Sequence, residues 1–167
     1  MAASAKTIYL AKNLDSYLYL CQPLSDYFFF YSYIVGLTMK AAERVIEKKL
    51  LQFDGEKYLN LETYRKNGLA VRTPVWFVES NGTLYVRTSD DTGKYKRIRN
   101  NPSVQIAPCD MRGKVKGTWA KGEARIANED EKLKAFKMLE KKYGMIYKMT
   151  RMFLSSKNYV VIAIHMT

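Results

Sequence analysis

The chain has 167 residues, of which 47% are hydrophobic, and a formal net charge of +12 at pH 7. This length predicts one globular domain with a proper core and excludes two ordinary domains. The positive charge indicates a polyanionic partner: nucleic acid, an anionic membrane face, or a small ligand with phosphates and carboxylates. Because Cys21 and Cys109 form no metal-ligand cluster, we expect no disulfide framework and no zinc site, and a reducing, cytoplasmic setting fits the sequence.

Residues 1–38 differ in composition from the rest, because they hold two lysines and two aspartates and are neutral overall. Their apolar run, residues 17–38, is interrupted by Pro23 and Asp26, and a central charge in a membrane helix costs on the order of 3 kcal/mol. We therefore expect neither a membrane span nor a signal peptide. Three interpretations stay open: a packing segment, a partly ordered arm over a dimer surface, or an extension upstream of a start at Met39. The last two are favoured equally.

From Met39 the pattern becomes regular, and we place a single domain over residues 39–167. The segment 39–53 is predicted to be an amphipathic helix. Its apolar face consists of Ala42, Val45, Ile46 and Leu50.

Three strands separated by tight turns follow this helix. They are residues 57–64, 69–78 and 83–88. The Asn-Gly pairs at 67–68 and 81–82 are predicted hairpin turns, because Asn-Gly tolerates positive φ angles. Pro74 inside the second strand indicates an edge, a bulge or a ligand-facing kink.

The stretch TGKYKRIRNNPSV, residues 92–104, places four cations within six residues. It predicts a short helix over residues 94–100, with Ile98 facing the core and Lys94 reaching back toward the preceding loop. A threonine, a glycine and a lysine open the stretch, and they supply a hydroxyl, close approach to backbone N–H groups and an ammonium. This combination suits a phosphate.

The competing interpretation of that stretch is a solvated basic helix. We assign Lys96 and Arg99 to this solvated face, while Lys94 and Arg97 remain candidates for the anion.

The remaining sequence predicts three further strands and a second helix. The strands are residues 104–109, 113–127 and 158–164, and the helix covers 128–144 with Asn128 as N-cap and Gly144 as its end. Six strands with two or three short helices in this order describe an antiparallel barrel with helical plugs.

No nucleophile–base pair or metal cluster is visible in the sequence. The single histidine, His165, is predicted to be a tail residue. The chemistry of an enzyme with this sequence would therefore belong to a bound cofactor. Trp76, Trp119 and the tyrosines could wall a flat aromatic ligand, although core or interface packing also explains them. Stacking on single-stranded nucleic acid is disfavoured, because no aromatic-basic repeat is present.

The segments VRTPVWFV, LYVRTS and TGKYKRIRNNPSV resemble the signature of the pyridoxamine 5′-phosphate oxidase-like split-barrel flavoproteins. More specifically, they are similar to the branch of deazaflavin (coenzyme F420)-dependent oxidoreductases. The resemblance runs from about Met39 to the end of the chain. Its most specific part is a small-x-Lys, x3, aliphatic, x2-Asn-Pro pattern, formed by Thr92, Lys94, Ile98, Asn101 and Pro102. It implies a mainly β fold: a six-stranded antiparallel split barrel of the FMN-binding type.

The resemblance also implies roles for the matching positions. Gly93 and Lys94 would bind the cofactor phosphate, next to Thr92 and the other anion candidate, Arg97. Arg87 and Thr88 would border the phosphate and the ribityl chain. The segment along the cofactor ring would comprise Arg72, Thr73, Pro74, Val75 and Trp76. Trp119 would fall on a strand that lines the same cleft.

The activity implied is hydride transfer between the ring of coenzyme F420 and a small conjugated substrate, in a homodimer with sites at the interface. FMN remains an alternative cofactor, because its phosphate would use the same Lys94 loop. Two other classes stay open: a non-catalytic flavin- or haem-type binding protein on the same barrel, and a nucleic-acid-binding module that uses the basic helix. The sequence identifies neither the substrate nor a catalytic residue.

Overall fold

The computed structural model describes residues 30–38, 40–41, 44–153 and 158–167. The chain divides into two compact units, residues 1–45 and 46–167. In the first unit, residues 30–38 are helical. Cys21, Ala42 and the predicted domain start Met39 lie outside the described residues, so the boundary at Met39 stays a prediction. Within the described part of the chain, no helix is both long and apolar enough to cross a membrane.

The second unit begins with the later part of the first predicted helix. Residues 46–51 are helical, and Ile46 and Leu50 pack against the barrel core as predicted. Val45, which was predicted on the same face, is instead 54% exposed.

Six strands of the second unit form a closed antiparallel barrel in the order β1-β2-β3-β6-β5-β4, which confirms the predicted barrel. The strands are β1 Tyr58–Tyr64, β2 Ala70–Ser80, β3 Thr83–Ser89, β4 Ser103–Cys109, β5 Ala120–Ile126 and β6 Tyr159–Met166. Helix α1, Gly93–Asn100, follows β3, and helix α2, Glu129–Phe153, connects β5 to β6.

The two predicted Asn-Gly turns are present. Asn81 and Gly82 both have positive φ angles, 51° and 76°, which is the geometry of a type I′ hairpin turn. Gly68 has φ of 80° in the turn between β1 and β2. Local turn chemistry therefore sets the register of the first three strands.

The barrel interior is apolar, and β1 shows how both faces of a strand become buried. Leu59 and Leu61 point into the core and are fully buried. On the opposite face, Asn60 and Glu62 are also buried. The side-chain amide of Asn60 donates to the carbonyl oxygen of Gly113 at 2.7 Å, so the loop before β5 covers this face.

Strand β2 changes its neighbour part of the way along its length. Residues 70–76 pair with β1, whereas residues 77–80 pair with residues 83–86 of β3. Residues 87–89 of β3 keep β6 as their one neighbour among the described strands. The barrel is therefore split between residues 70–76 of β2 and residues 87–89 of β3. Pro74 lies on the open part of β2, which agrees with the edge position that its proline predicts.

The hydroxyl group of Tyr143, on α2, lies at the residue where β2 changes partner. It accepts a hydrogen bond from the backbone N–H of Phe77 at 3.1 Å and donates to the carbonyl oxygen of Lys57 at 2.6 Å. Burial raises the pKa of Tyr143 to about 12, so the hydroxyl stays a donor over the whole neutral range. Tyr143 thus gives the backbone of β2 a hydrogen-bond partner at the split.

Two predicted element lengths are wrong. The fifth strand was expected over residues 113–127, but β5 covers Ala120–Ile126, preceded by a single bridge between Cys109 and Val115. The reason is that the backbone N–H and the hydroxyl of Thr118 both donate to the side-chain oxygen of Gln52, at 2.9 and 3.1 Å, in place of a strand partner.

The second helix was expected to end at Gly144, but α2 continues to Phe153. Gly144 interrupts it with φ of 57° and ψ of −130°, a conformation that favours glycine, and a second helical stretch follows. The predicted N-cap is confirmed, because the side-chain oxygen of Asn128 accepts from the backbone N–H of Glu131 at 2.9 Å.

His165 was predicted to be a tail residue, and this is wrong. It lies within β6, where it pairs with Thr83 of β3 and Glu123 of β5. Its Nδ1 atom is 3.2 Å from the hydroxyl of Thr83. Strand pairing on both sides fixes the chain at this position.

We predict that Tyr143→Phe destabilises the protein by about 1–3 kcal/mol, because it leaves the backbone N–H of Phe77 buried without that acceptor. Urea unfolding measures the difference. The control is Tyr95→Phe, which removes a hydroxyl that has no hydrogen-bond partner among the described residues. Equal stability of the two variants would contradict the assigned role of Tyr143.

Candidate functional site

The opening between β2 and β3 forms a cleft of about 320 Å³, which we call the split cleft. Five residues that the sequence predicted at a binding site line it: Pro74, Val75, Trp76, Arg87 and Thr88. The other lining residues are Tyr58, Leu139, Tyr147 and Tyr159. The structure therefore brings the predicted segments of β2 and β3 to one concave surface.

Trp76 is held at the wall of the split cleft by stacking. Its indole ring lies parallel to the ring of Tyr143, with 4.8 Å between the ring centroids and 15° between the planes. Because the hydroxyl of Tyr143 is anchored to the backbone at the split, the indole has a fixed support.

Arg87 contacts two tyrosine rings at the other wall. Its guanidinium carbon is 3.7 Å from the ring centroid of Tyr159 and 4.9 Å from that of Tyr147. Both distances are within cation–π range, so the two rings attract the charged guanidinium and hold the side chain in place. Tyr147 lies three residues after Gly144, in the second helical stretch of α2, and this stretch therefore contacts the cleft.

The split cleft is linked to the start of α1 by a pair of threonines. The hydroxyl oxygens of Thr88 and Thr92 are 3.0 Å apart, and the hydroxyl of Thr92 donates to the carbonyl oxygen of Ser89 at 2.8 Å. The Thr88 hydroxyl is therefore the donor to Thr92. Thr92 is also the N-cap of α1. At this end of α1 the backbone N–H groups of Gly93 and Lys94 have no acceptor among the described residues.

The cations at the start of α1 are half-buried. Burial lowers the pKa of Lys94, the charge of Arg97 lowers it further, and Asp91 opposes the shift. Burial also lowers the pKa of Arg97, whose Nε–H donates to the hydroxyl of Thr63 at 2.8 Å. At both positions, burial disfavours the charged form of the side chain.

The other two cations of the stretch behave as solvated residues. Lys96 and Arg99 are exposed on α1, whereas Ile98 is buried in the core. The exposure of Lys96 and Arg99 agrees with the solvated face to which the sequence assigned them.

Seven predicted site residues lie outside the lining of the split cleft: the four at the start of α1 described above, and Arg72, Thr73 and Trp119. Arg72 donates from Nε to a carboxylate oxygen of Glu62 at 2.7 Å, and its guanidinium lies 4.8 Å from the ring centroid of Trp119. Trp119 precedes β5 and is not on a strand. Thr73 pairs with Leu61 in the β1–β2 ladder. Arg72 and Trp119 thus form a separate contact with each other.

The sequence interpretation missed the α2 residues at the cleft: Leu139 and Tyr147, which line it, and Tyr143, which supports Trp76. Leu139, Tyr143 and Tyr147 follow one another at intervals of four along α2, which was a usable signal for one helix face. The prediction stopped that helix at Gly144, and therefore left out Tyr147.

Other reactive groups are few in the part of the chain that the structure describes. It contains no cluster of three or more His, Cys, Asp or Glu side chains that could hold a metal ion. Cys109 is buried, and burial raises the pKa of its thiol to about 11. A thiol with that pKa is a poor nucleophile at neutral pH.

The fold and the cleft define a class: six-stranded split barrels with a ligand-sized cleft where two strands separate. A family model described as pyridoxamine 5′-phosphate oxidase matches residues 46–167. The chain therefore belongs to the pyridoxamine 5′-phosphate oxidase family. No curated protein sequence matches at a significant level.

Solved structures share this fold. A provisionally named pyridoxamine 5′-phosphate oxidase of Listeria innocua is 17% identical, with a TM-score of 0.54 over 73% of this chain and 93% of its own. The heme storage protein HutZ of Vibrio cholerae is 16% identical, with a TM-score of 0.55 over 73% of this chain and 90% of its own. General Stress Protein 26 of Bacillus anthracis is 22% identical, with a TM-score of 0.52 over 73% of this chain and 88% of its own. At these identities the similarity establishes the fold alone.

We predict that Gly93→Ala displaces Arg97 with little loss of stability. A Cβ atom at this position would lie 2.8 Å from Arg97 Nη1, which is the end of a flexible side chain. The Arg97 Nε–H should therefore lose its bond to Thr63 and exchange faster with water, while the unfolding free energy changes by less than about 1 kcal/mol. NMR of the arginine Nε–H signals measures the exchange.

Thr63→Val removes the acceptor directly and should give the same faster exchange. An unchanged Arg97 signal in Gly93→Ala would show that the two residues do not pack as described.

Proposed function

We propose that the split cleft binds a phosphorylated ring cofactor, coenzyme F420 or alternatively FMN, and that the protein is an oxidoreductase acting on a small conjugated substrate. One observation carries this proposal: Thr88 lines the aromatic-walled cleft and its hydroxyl bonds to Thr92, the residue that begins α1. The cleft and the cationic helix start are thus neighbouring parts of one surface.

The start of α1 fits a phosphate by the chemistry of its donors. It offers the free backbone N–H groups of Gly93 and Lys94, the positive end of the helix dipole, and the ammonium of Lys94. Arg97 packs on Gly93 and adds a second charge. A bound phosphate would return the pKa of Lys94 toward its usual value, because it would stabilise the ammonium form.

The split cleft fits a planar ring by its shape and lining. Its volume is within the roughly 300–1,000 Å³ range of small-molecule sites. Trp76 and Tyr58 present aromatic surface, and the open edge of β2 at Pro74 and Val75 presents backbone groups. When bound, the cofactor would supply the hydride chemistry. The residues of the chain would position it and limit the access of water.

The family membership of residues 46–167 supports a cofactor of this kind. F420 is the first choice, because it carries a phosphate and a carboxylate-bearing tail that a chain of net charge +12 would attract. We also propose that the protein is a cytoplasmic homodimer in which residues of both chains complete each site. Residues 1–38 are proposed to be an extension of a domain that covers residues 39–167.

Lys94→Met is expected to raise the Kd for FMN or F420 roughly 10- to 100-fold, because it removes a charge-assisted hydrogen bond to the phosphate. Fluorescence titration of each cofactor measures this. The thermal midpoint should not fall. Below the unfolded-state pKa the buried ammonium costs stability, since its folded-state pKa is lowered, and the substitution removes that cost.

Two controls identify the phosphate as the group involved. Lys96→Met removes an exposed cation from the same helix and should leave cofactor affinity nearly unchanged. Riboflavin, which lacks the phosphate, should bind wild type and Lys94→Met equally. Equal loss of riboflavin and FMN affinity would contradict the phosphate assignment. Binding of single-stranded nucleic acid that weakens steeply with salt, in place of cofactor binding, would favour the alternative function.

A further inference from the structure

A second cavity, of about 660 Å³, lies between α2 and the ends of β3 and β6, and we call it the helix cavity. Helix α2 contributes six of its lining residues: Lys132, Leu133, Phe136, Lys137, Glu140 and Tyr147. Residues three or four apart lie on one side of a helix, so Lys132, Leu133, Phe136 and Lys137 form a continuous wall.

This wall combines apolar surface with positive charge. Leu133 is 57% exposed although it is apolar, and Phe136 is partly buried beside it. Lys132 is paired with Glu129 at 3.1 Å, whereas Lys137 makes no ion pair with any described residue. A ligand with an apolar body and an anionic end would match both features.

The two acidic residues of the helix cavity do not cancel this charge. Glu140 lies 3.2 Å from the ammonium of Lys148, which offsets its carboxylate. The carboxylate of Asp90 is the other negative charge of the cavity, and the two positive charges of Arg87 and Lys137 exceed it. The cavity therefore favours an anion over a cation.

The helix cavity adjoins the split cleft. Arg87, Tyr147 and Tyr159 line both, and the guanidinium of Arg87 is within cation–π distance of both rings. A ligand in the helix cavity would therefore extend to the boundary of the split cleft.

The volumes also indicate separate roles. The split cleft, at about 320 Å³, is at the lower end of the size range for ligand pockets, so a bound ring system would occupy most of it. A second reactant needs adjoining space. The helix cavity is about twice as large and shares a wall with the cleft.

We propose that the helix cavity binds the second substrate, an amphipathic anion with an apolar conjugated body and a carboxylate, at the same time as the cofactor. Lys137 holds the anion, Leu133 and Phe136 contact the apolar body, and the reactive end lies at the boundary near Arg87. The assignment as a substrate site rests on the proposed function, but the anion site itself can be tested on the protein without cofactor.

The test uses two fluorescent probes that share a ring system. One is 8-anilinonaphthalene-1-sulfonate, which is anionic, and the other is N-phenyl-1-naphthylamine, which lacks the sulfonate. Lys137→Met is expected to raise the Kd of the anionic probe about tenfold and to leave that of the neutral probe unchanged, because it removes one charge and keeps an apolar stem. The matched control is Lys134→Met, an exposed position on the same helix outside the cavity, which should change neither Kd.

Two results would overturn the anion site. One is a Kd of the sulfonate probe that does not change in Lys137→Met, and the other is a Kd that rises as much in Lys134→Met as in Lys137→Met. The titration is repeated with saturating FMN and with saturating F420. Retention of the sulfonate probe supports simultaneous binding, and competitive displacement contradicts it. Lys137-dependent probe binding by a protein that binds neither cofactor would support the anion site and contradict the proposed function, so the two failures are distinguishable.

Discussion

The change of partner in β2 is the constraint on which the rest of the structure depends. A strand that leaves one neighbour for another exposes backbone groups, and buried backbone groups need partners. The hydroxyl of Tyr143 meets this need, with hydrogen bonds to Phe77 and Lys57. The same tyrosine supports Trp76 by stacking. One side chain therefore bonds the backbone at the split, joins α2 to the barrel and supports an aromatic wall of the cleft.

The electrostatics of the site follow from the position of α1 directly after β3. Thr88 at the end of the strand bonds to Thr92 at the start of the helix, so the cleft is followed at once by free backbone donors and two cations. Lys94 and Arg97 have lowered pKa values chiefly because burial disfavours their charged forms. Ionisable groups with shifted pKa values beside a cleft are candidates for a functional site.

The sequence predicts those features that depend on local chemistry, and misses those that depend on distant contacts. The hairpin turn at residues 81–82 and the short helix after β3 follow from residues within a few positions, and both were predicted. Gly144 was predicted to end the helix because glycine commonly follows the last helical residue, and its dihedral angles do interrupt the helix. The continuation that brings Tyr147 to the cleft depends on packing against the barrel. The fifth strand is short because Gln52, far away in sequence, bonds Thr118, and no pattern in the strand itself signals this contact.

The central claim, that the ring of the cofactor occupies the split cleft, can be tested directly because the chain has two tryptophans in different places. Trp76 lines the cleft, whereas Trp119 lies against Arg72 outside it. The measurement is ¹⁹F NMR of protein labelled with 5-fluorotryptophan, titrated with F420 or FMN, with the resonances assigned from Trp119→Phe. We expect the Trp76 resonance to shift on saturation and the Trp119 resonance to stay in place. A shift of Trp119 alone would contradict the split cleft as the binding site.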